Sequence, residues 1–144
     1  NALEGARAAG NDPDGLKFPV AATVSINDDV EAAYEASKAA VCKLFHPIPH
    51  PYYDSQLRQL GFSDFADQAS QLMPEGRLRE AMKLVPDEVI EKMTITGTLE
   101  DCVSRVGEYS GVADELILAR TGQRGDAAGI AAYEPFFELI RRVS

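Results

Sequence analysis

The sequence predicts an α/β fold in which parallel strands alternate with helices. Three short runs with the alternation of β-strands are separated by segments with the apolar period of amphipathic helices. The resulting order is helix, strand, several helices, strand, helix, strand and helix. Each connection between strands is long enough for a crossover helix, which is typical of βαβ units and a parallel sheet. The 144 residues, 45% of them hydrophobic, suit one domain with its own core.

Charge and cysteine content limit the classes of partner and compartment. The formal net charge is -9 and the isoelectric point is about 4.6, so we expect neither nucleic acid nor an anionic membrane surface as a partner. No apolar run approaches the ~20 residues of a membrane-spanning helix. Cys42 and Cys102 lie in separate helical segments without metal-binding or disulfide spacing. We therefore expect buried structural thiols, no metal site and a cytoplasmic location.

The first predicted strand follows a helix and a turn. Residues 3–9 have a helical pattern, Gly10 is a typical helix terminator, and residues 11–15 are a cluster of turn-forming residues. Residues 16–26 then alternate at period two. One face carries the larger apolar side chains, which are Phe18, Val20, Ala22, Val24 and Ile26, and the other carries Ala21, Thr23 and Ser25. This pattern indicates a strand covered by a helix on one face and by a crowded interior on the other.

An amphipathic helix is predicted over residues 28–45. Asp28 is expected to cap it, with Glu31 at the capping-box position three residues later. Its buried stripe is predicted to comprise Val30, Tyr34, Ser37, Val41 and Phe45. A stripe of this period places the helix against a sheet or a neighbouring helix.

Residues 46–93 are predicted to form a helical insertion between two strands. Three prolines within residues 46–54 interrupt the preceding helix. Short helices follow, one beginning at a Ser63 cap, one after Gly76, and one opened by Pro86 with acidic residues in its first turn.

The second and third strands enclose one further helix. Residues 94–96 form a short β-prone run, and Thr98 is a good N-cap with Asp101 three residues later. The stripe of that helix comprises Leu99, Cys102, Val106 and Tyr109, and Gly111 is expected to end it. Residues 113–120 form the third strand.

A polar, glycine-rich loop and a final helix with Pro135 in its first turn complete the chain. Three strands are too few for a sheet covered on both faces, and no antiparallel partners are evident. We therefore expect part of a larger structure, whose open edges and apolar surface are covered by association.

Two long segments resemble the luciferase-like flavin and deazaflavin oxidoreductases. They are LEGARAAGNDPDGLKFPVAATVSINDDVEAA, and VPDEVIEKMTITGTLEDCVSRVGEYSGVADELIL. The F420-dependent reductases of the methylenetetrahydromethanopterin-reductase type look closest. The resemblance implies the C-terminal part of a (β/α)8 TIM barrel, with about three strands in a single partial barrel domain, 1–144.

The resemblance also implies an activity and a cofactor. The whole protein would be an oxidoreductase or monooxygenase that uses F420 or FMN for hydride transfer to a small-molecule substrate. Most cofactor contacts are expected outside this chain, so residues 1–144 are expected to be inactive alone. We expect a homo-oligomer or association with the missing barrel half. The alternative is a non-catalytic half-barrel that serves as an assembly or interaction module.

Barrels of this kind carry their chemistry at the C-terminal ends of the strands. Thr96 and Gly97 lie at such an end and are the candidate cofactor-binding residues, because Gly97 permits close backbone approach to a ligand. The alternative is structural, with Thr98 as a helix cap and Gly97 as its turn. Arg120 and Arg124 lie at and just after the end of the last strand and are the candidate substrate-binding residues, since an arginine there can hold a carboxylate or phosphate. The alternative is a solvated residue at the rim, and the register of the strand decides which way Arg120 faces.

His46, His50, Tyr52, Tyr53 and Asp54 resemble an acid–base cluster, but their position argues against catalysis. The helix before them runs back along the sheet and leaves them near the opposite edge. Histidine also suits a helix C-terminus electrostatically. No pair of acidic residues stands out as a general acid and base, so the sequence names no catalytic residue.

Overall fold

The computed structural model describes residues 2–121 and 132–144, and the elements alternate in the predicted order. A 3-10 turn at Pro13–Gly15 precedes the first strand. The strands are β1 (Pro19–Ile26), β2 (Thr94–Gly97) and β3 (Glu115–Arg120). The helices are α1 (Ala2–Ala8), α2 (Val30–Lys43), α3 (Pro51–Gln59), α4 (Ser63–Leu72), α5 (Leu78–Leu84), α6 (Asp87–Met93), α7 (Leu99–Gly107) and α8 (Glu134–Val143).

The three strands form a parallel sheet in the order β2-β1-β3, which confirms the α/β class. β1 is the central strand and the longest of the three. It pairs with β2 from Thr23↔Thr94 to Ile26↔Gly97. It pairs with β3 over six residues, ending at Val24↔Arg120. The carboxyl ends of all three strands therefore lie at one edge of the sheet.

Helices lie on both faces of this sheet, contrary to the expectation that three strands are too few for double cover. On one face, Ala22 and Val24 of β1 pack with Cys102 of α7 and Leu139 of α8. On the other face, α2 lies against β1 and β2. The α2 side of β3 is less covered, and Ile117 there is 55% exposed. One 14-residue helix spans two of the strands but leaves the third open.

The helical insertion has a hydrophobic core of its own. Phe45 and Phe65 meet edge to face at its centre, with ring centroids 5.9 Å apart. The other large buried residues of this core are Val41, Leu57, Met73, Val85, Val89 and Ile90. α3 begins at Pro51, inside the segment expected to be a break, because proline is favoured in the first turn of a helix. Ser63 makes no capping bond, so that prediction is wrong.

The helices beside the sheet begin at side-chain caps. α2 is capped by Asp29 rather than Asp28, with Asp29 Oδ1 accepting from the backbone N–H of Glu31 at 3.1 Å. Asn27 accepts the Asp29 N–H at 3.0 Å, which delays the helix start by one residue. The predicted Thr98 cap of α7 is confirmed, and Asp101 completes a capping box with it. None of the helices within residues 2–121 and 132–144 is long and apolar enough to cross a bilayer.

Candidate functional site

The strand ends predicted to carry a site lie together at the carboxyl edge of the sheet. The backbone N–H of Asn27 donates to Gly97 O at 3.1 Å, which ties the β1 loop to the end of β2. The N–H of Thr121 donates to Val24 O at 2.7 Å, which ties the end of β3 to β1. Arg124 lies outside the described residues, so its predicted role stays a prediction.

Thr96 takes part in a chain of three hydroxyl groups, called the hydroxyl chain below. Thr94 Oγ1 donates to the carbonyl of Ile90 at 2.7 Å, and Thr96 Oγ1 lies 2.8 Å from Thr94 Oγ1. Ser37 Oγ of α2 lies 2.6 Å from Thr96 Oγ1. Ser37 and Thr94 are buried, whereas Thr96 is half-buried. A buried hydroxyl needs such a partner, because an unsatisfied one is costly.

Gly97 is constrained by the capping residue of the next helix. Its φ of +145° is in the region that favours glycine. A Cβ on Gly97 would lie 2.8 Å from Asp101 Oδ2 and 2.9 Å from Asp101 Cβ. Asp101 accepts from Thr98 N at 2.9 Å and from Thr98 Oγ1 at 2.7 Å, and these bonds hold the pKa of its carboxyl below its usual range. The capping box therefore accounts for this glycine without a ligand.

Thr96 and Gly97 line one cleft beside the outer edge of β2, called the β2 cleft below. Its volume is about 400 Å³, and its other lining residues are Val30, Tyr34, Ile90, Glu91, Thr94, Asp101, Ser104 and Arg105. The Arg105 guanidinium donates to the backbone carbonyl of Glu91 and, at 3.1 Å, to Glu108. Burial raises the pKa of the Tyr34 hydroxyl. Thus the two predicted cofactor-binding residues share a cleft of ligand size.

Arg120 lines a different cavity, called the strand-end crevice below. Its volume is about 780 Å³, and its other lining residues are Ile26, Asn27, Asp28, Leu99, Ala132, Glu134, Pro135 and Glu138. The Arg120 guanidinium carbon lies 4.4 Å from the centroid of the Tyr133 ring, a cation–π contact. Contact with a ring face favours a stacked orientation of the planar guanidinium.

The β1 register separates the predicted cofactor and substrate residues. Thr96 pairs with Ser25, whereas Arg120 pairs with Val24. Because successive residues of a strand point to opposite faces, Thr96 lies on the α2 face and Arg120 on the α7/α8 face. The structure therefore does not bring the two groups into one cavity.

A sequence model of the luciferase-like monooxygenases matches residues 1–115, which is most of the chain. The chain belongs to the luciferase-like monooxygenase family. The match includes Thr96 and Gly97 of this luciferase-like chain and ends before Arg120. No curated protein sequence matches the chain.

The luciferase-like fold is also evident from a solved structure. The chain resembles the coenzyme F420-dependent tetrahydromethanopterin reductase of Methanopyrus kandleri with a TM-score of 0.70 and 24% sequence identity. The likeness covers 96% of this chain and 37% of the reductase chain. The chain therefore corresponds to part of a TIM-barrel-like fold, as the sequence predicts.

The two histidines of this luciferase-like chain contact residues of the helical insertion. His46 Nδ1 lies 3.2 Å from the carbonyl of Met73, within the insertion. His50 is the N-cap residue of α3, and its ring centroid lies 5.1 Å from that of Tyr53. Neither residue lines the β2 cleft or the strand-end crevice.

The two thiols are free and buried, as predicted. Burial raises the pKa of Cys42 to about 12 and that of Cys102 to about 11. Both thiols therefore stay protonated at neutral pH, which disfavours a nucleophilic role. Among residues 2–121 and 132–144, no three His, Cys, Asp or Glu side chains are grouped to hold a metal ion.

Sequence reasoning missed the partners of the candidate residues. The sequence places Ser37 in a helix stripe and carries no signal that distinguishes Tyr133. A serine within an otherwise apolar stripe was a usable signal, because a buried hydroxyl must find a hydrogen-bond partner on the facing element. The contact between Arg120 and Tyr133 had no such signal.

Proposed function

We propose that the chain is the C-terminal portion of an F420- or FMN-dependent oxidoreductase that acts on a small-molecule substrate. Family membership carries this proposal, and the F420-dependent reductase with a similar fold supports the choice of cofactor class. When bound, such a cofactor accepts or supplies the hydride. The contribution of this chain is to bind and orient the reactants.

Two cavities have the size of ligand sites and suit different roles. We propose that Thr96 and Gly97 contact the cofactor in the β2 cleft. We propose that Arg120, oriented by Tyr133, holds an anionic group of the substrate or cofactor in the strand-end crevice, where a planar guanidinium can donate two parallel hydrogen bonds. The residues of the missing barrel portion would complete both sites. The two free buried cysteines support a cytoplasmic location.

The test compares the 144-residue chain with a longer protein that includes the preceding barrel strands. Binding of F420 and FMN is measured by fluorescence titration, and turnover by the absorbance of the cofactor with candidate substrates. We expect the longer protein to bind one cofactor and the short chain to be inactive. If the longer protein binds neither cofactor, the proposal is wrong.

A non-catalytic assembly role is the second candidate, and one observation favours it. Ile117 is 55% exposed and Ala119 is exposed on the open face of β3. An exposed apolar sheet face and an open strand edge favour association, either with a second copy or with the missing barrel half. Light scattering after size exclusion measures this directly. A compact monomer at high concentration would contradict association with a second copy.

A further inference from the structure

The hydroxyl chain has a fixed direction. The carbonyl of Ile90 can only accept, so the single proton of Thr94 is donated to it. Thr94 Oγ1 must then accept from Thr96, whose single proton is used in turn. Thr96 Oγ1 must therefore accept from Ser37. In this arrangement Thr96 has no proton left to donate, and its oxygen retains the capacity to accept one further hydrogen bond.

Two charged acceptors also line the β2 cleft, beside the Tyr34 and Ser104 hydroxyls, which can donate or accept. Glu91 and Asp101 are carboxylates, and the bonds from Thr98 lower the pKa of Asp101, so it stays ionised at neutral pH. Among the lining residues that the structure describes, Arg105 is the cation, and its guanidinium already donates to Glu91 O and to the Glu108 carboxylate. A phosphate or carboxylate entering this cleft would meet acceptors of its own sign.

We propose that the β2 cleft binds the hydrogen-bond-donor part of the cofactor and excludes its phosphate. This inference rests on the proposed function. Both FMN and F420 carry a ring N–H, a hydroxylated side chain and a phosphate. A ring N–H or a side-chain O–H donates to Thr96 Oγ1, while the phosphate lies elsewhere. Ser37 and Thr94 are positioning residues, because their bonds fix Thr96 as an acceptor.

The first test uses each cofactor and its phosphate-free form: FMN with riboflavin, and F420 with its phosphate-free deazaflavin. Dissociation constants are measured by fluorescence on the longer protein. Thr96→Val keeps the branched shape but removes the acceptor, and we expect it to weaken the phosphate-containing and phosphate-free forms equally, by about tenfold, the upper range for one neutral hydrogen bond. Thr96→Ser keeps the hydroxyl and is expected to retain most of the affinity.

A second variant tests the direction of the hydroxyl chain. Thr94→Val removes the acceptor of the Thr96 proton, so Thr96 is no longer fixed as an acceptor. The carbonyl of Ile90 keeps its bond from the Thr94 backbone N–H, so the helix end stays satisfied. We expect Thr94→Val to weaken the phosphate-free form several-fold and Thr94→Ser, which keeps the hydroxyl, to retain its affinity. Inorganic phosphate should not compete in either variant, because Glu91 and Asp101 remain. Unchanged affinity in Thr94→Val, or equal losses in the two variants, would contradict a positioning role for the Thr94 hydroxyl.

The outcomes separate this inference from the proposed function. If the wild type binds a cofactor but Thr96→Val binds both forms unchanged, or loses affinity only for the phosphate-containing form, the inference is overturned and the function stands. If no cofactor binds, the function fails, and nuclear magnetic resonance titrations of the 144-residue chain with ribitol and with inorganic phosphate decide the inference. Shifts at Thr96 with ribitol alone support it, and shifts with phosphate, or with neither probe, overturn it.

Discussion

Replacing Gly97 by alanine should destabilise the junction between β2 and α7. Its φ of +145° is strained for any residue with a Cβ, at a cost of about 1–3 kcal/mol. The new methyl group would also lie 2.8 Å from Asp101 Oδ2, so Asp101 must move and the capping box is disturbed, which adds about 1 kcal/mol. The expected loss in the free energy of unfolding is therefore about 2–4 kcal/mol.

Urea unfolding followed by circular dichroism measures this loss. With a slope of about 2 kcal/mol per molar urea, the midpoint should fall by about 1–2 M. Gly107→Ala is the matched control, because Gly107 is helical and a Cβ there meets nothing within 4 Å. That variant should be neutral or up to about 1 kcal/mol more stable. If Gly97→Ala and Gly107→Ala unfold at the same urea concentration, the conformational explanation of Gly97 is refuted.

Three further predictions concern the cap, the thiols and the crevice. Thr98→Ala should lower the free energy of unfolding, measured in urea, by about 1 kcal/mol, because it removes the α7 cap. Ser63→Ala is the control, since Ser63 makes no capping bond, and its free energy of unfolding should change by less than about 0.5 kcal/mol. Equal losses in the two variants would contradict the assignment of the caps. Burial raises the thiol pKa from 9.0 to about 12 at Cys42 and to about 11 at Cys102. The thiols of the unfolded chain therefore lose their protons at a lower pH than those of the folded chain, which favours unfolding. The free energy of unfolding should fall as the pH rises from about 9 to about 11. The midpoint of urea unfolding at pH 8 and at pH 10 checks this prediction. If a Cys42→Ala/Cys102→Ala variant loses as much stability between these pH values as the wild type, the thiols are not the cause of the loss. In the longer protein, Arg120→Lys should raise the KM for an anionic substrate several-fold with little change in kcat, because lysine keeps the charge but not the planar group over Tyr133. Arg79→Lys on α5 serves as control, and an unchanged KM would argue against substrate binding by Arg120.

Features that depend only on neighbouring residues can be predicted from the sequence. The alternation of β1 and the spacing of Thr98 and Asp101 each reflect contacts within a few residues, and both are found in the structure. The cap of α2 was misplaced by one residue because Asn27, Asp28 and Asp29 all have capping side chains. In the structure Asp29 is distinguished by its own bonds from the Glu31 and Ala32 N–H groups, and its N–H is bonded to Asn27.

The features that depend on distant residues could not be predicted in the same way. The order β2-β1-β3 joins residues about 70 to 100 positions apart by backbone pairing, and the sequence pattern of each strand is compatible with several neighbours. The register of β3 decides which face Arg120 occupies, and a slip of one residue would reverse it. The bond between Ser37 and Thr96 spans 59 positions and follows from packing of α2 rather than from local sequence.

The register of β1 has a consequence for any ligand that contacts both candidate regions. Thr96 and Arg120 pair with successive residues of one strand and so lie on opposite faces of the sheet. A ligand that touches both must pass over the carboxyl edge, beside Asn27, where the loop after β1 is bonded to Gly97 O. A ligand with two chemically different parts can contact both regions in this way. Both cavities contain carboxylates, but Glu134 and Glu138 in the strand-end crevice are bonded to Arg141. An anionic part of the ligand is therefore better placed beside Arg120 than in the β2 cleft.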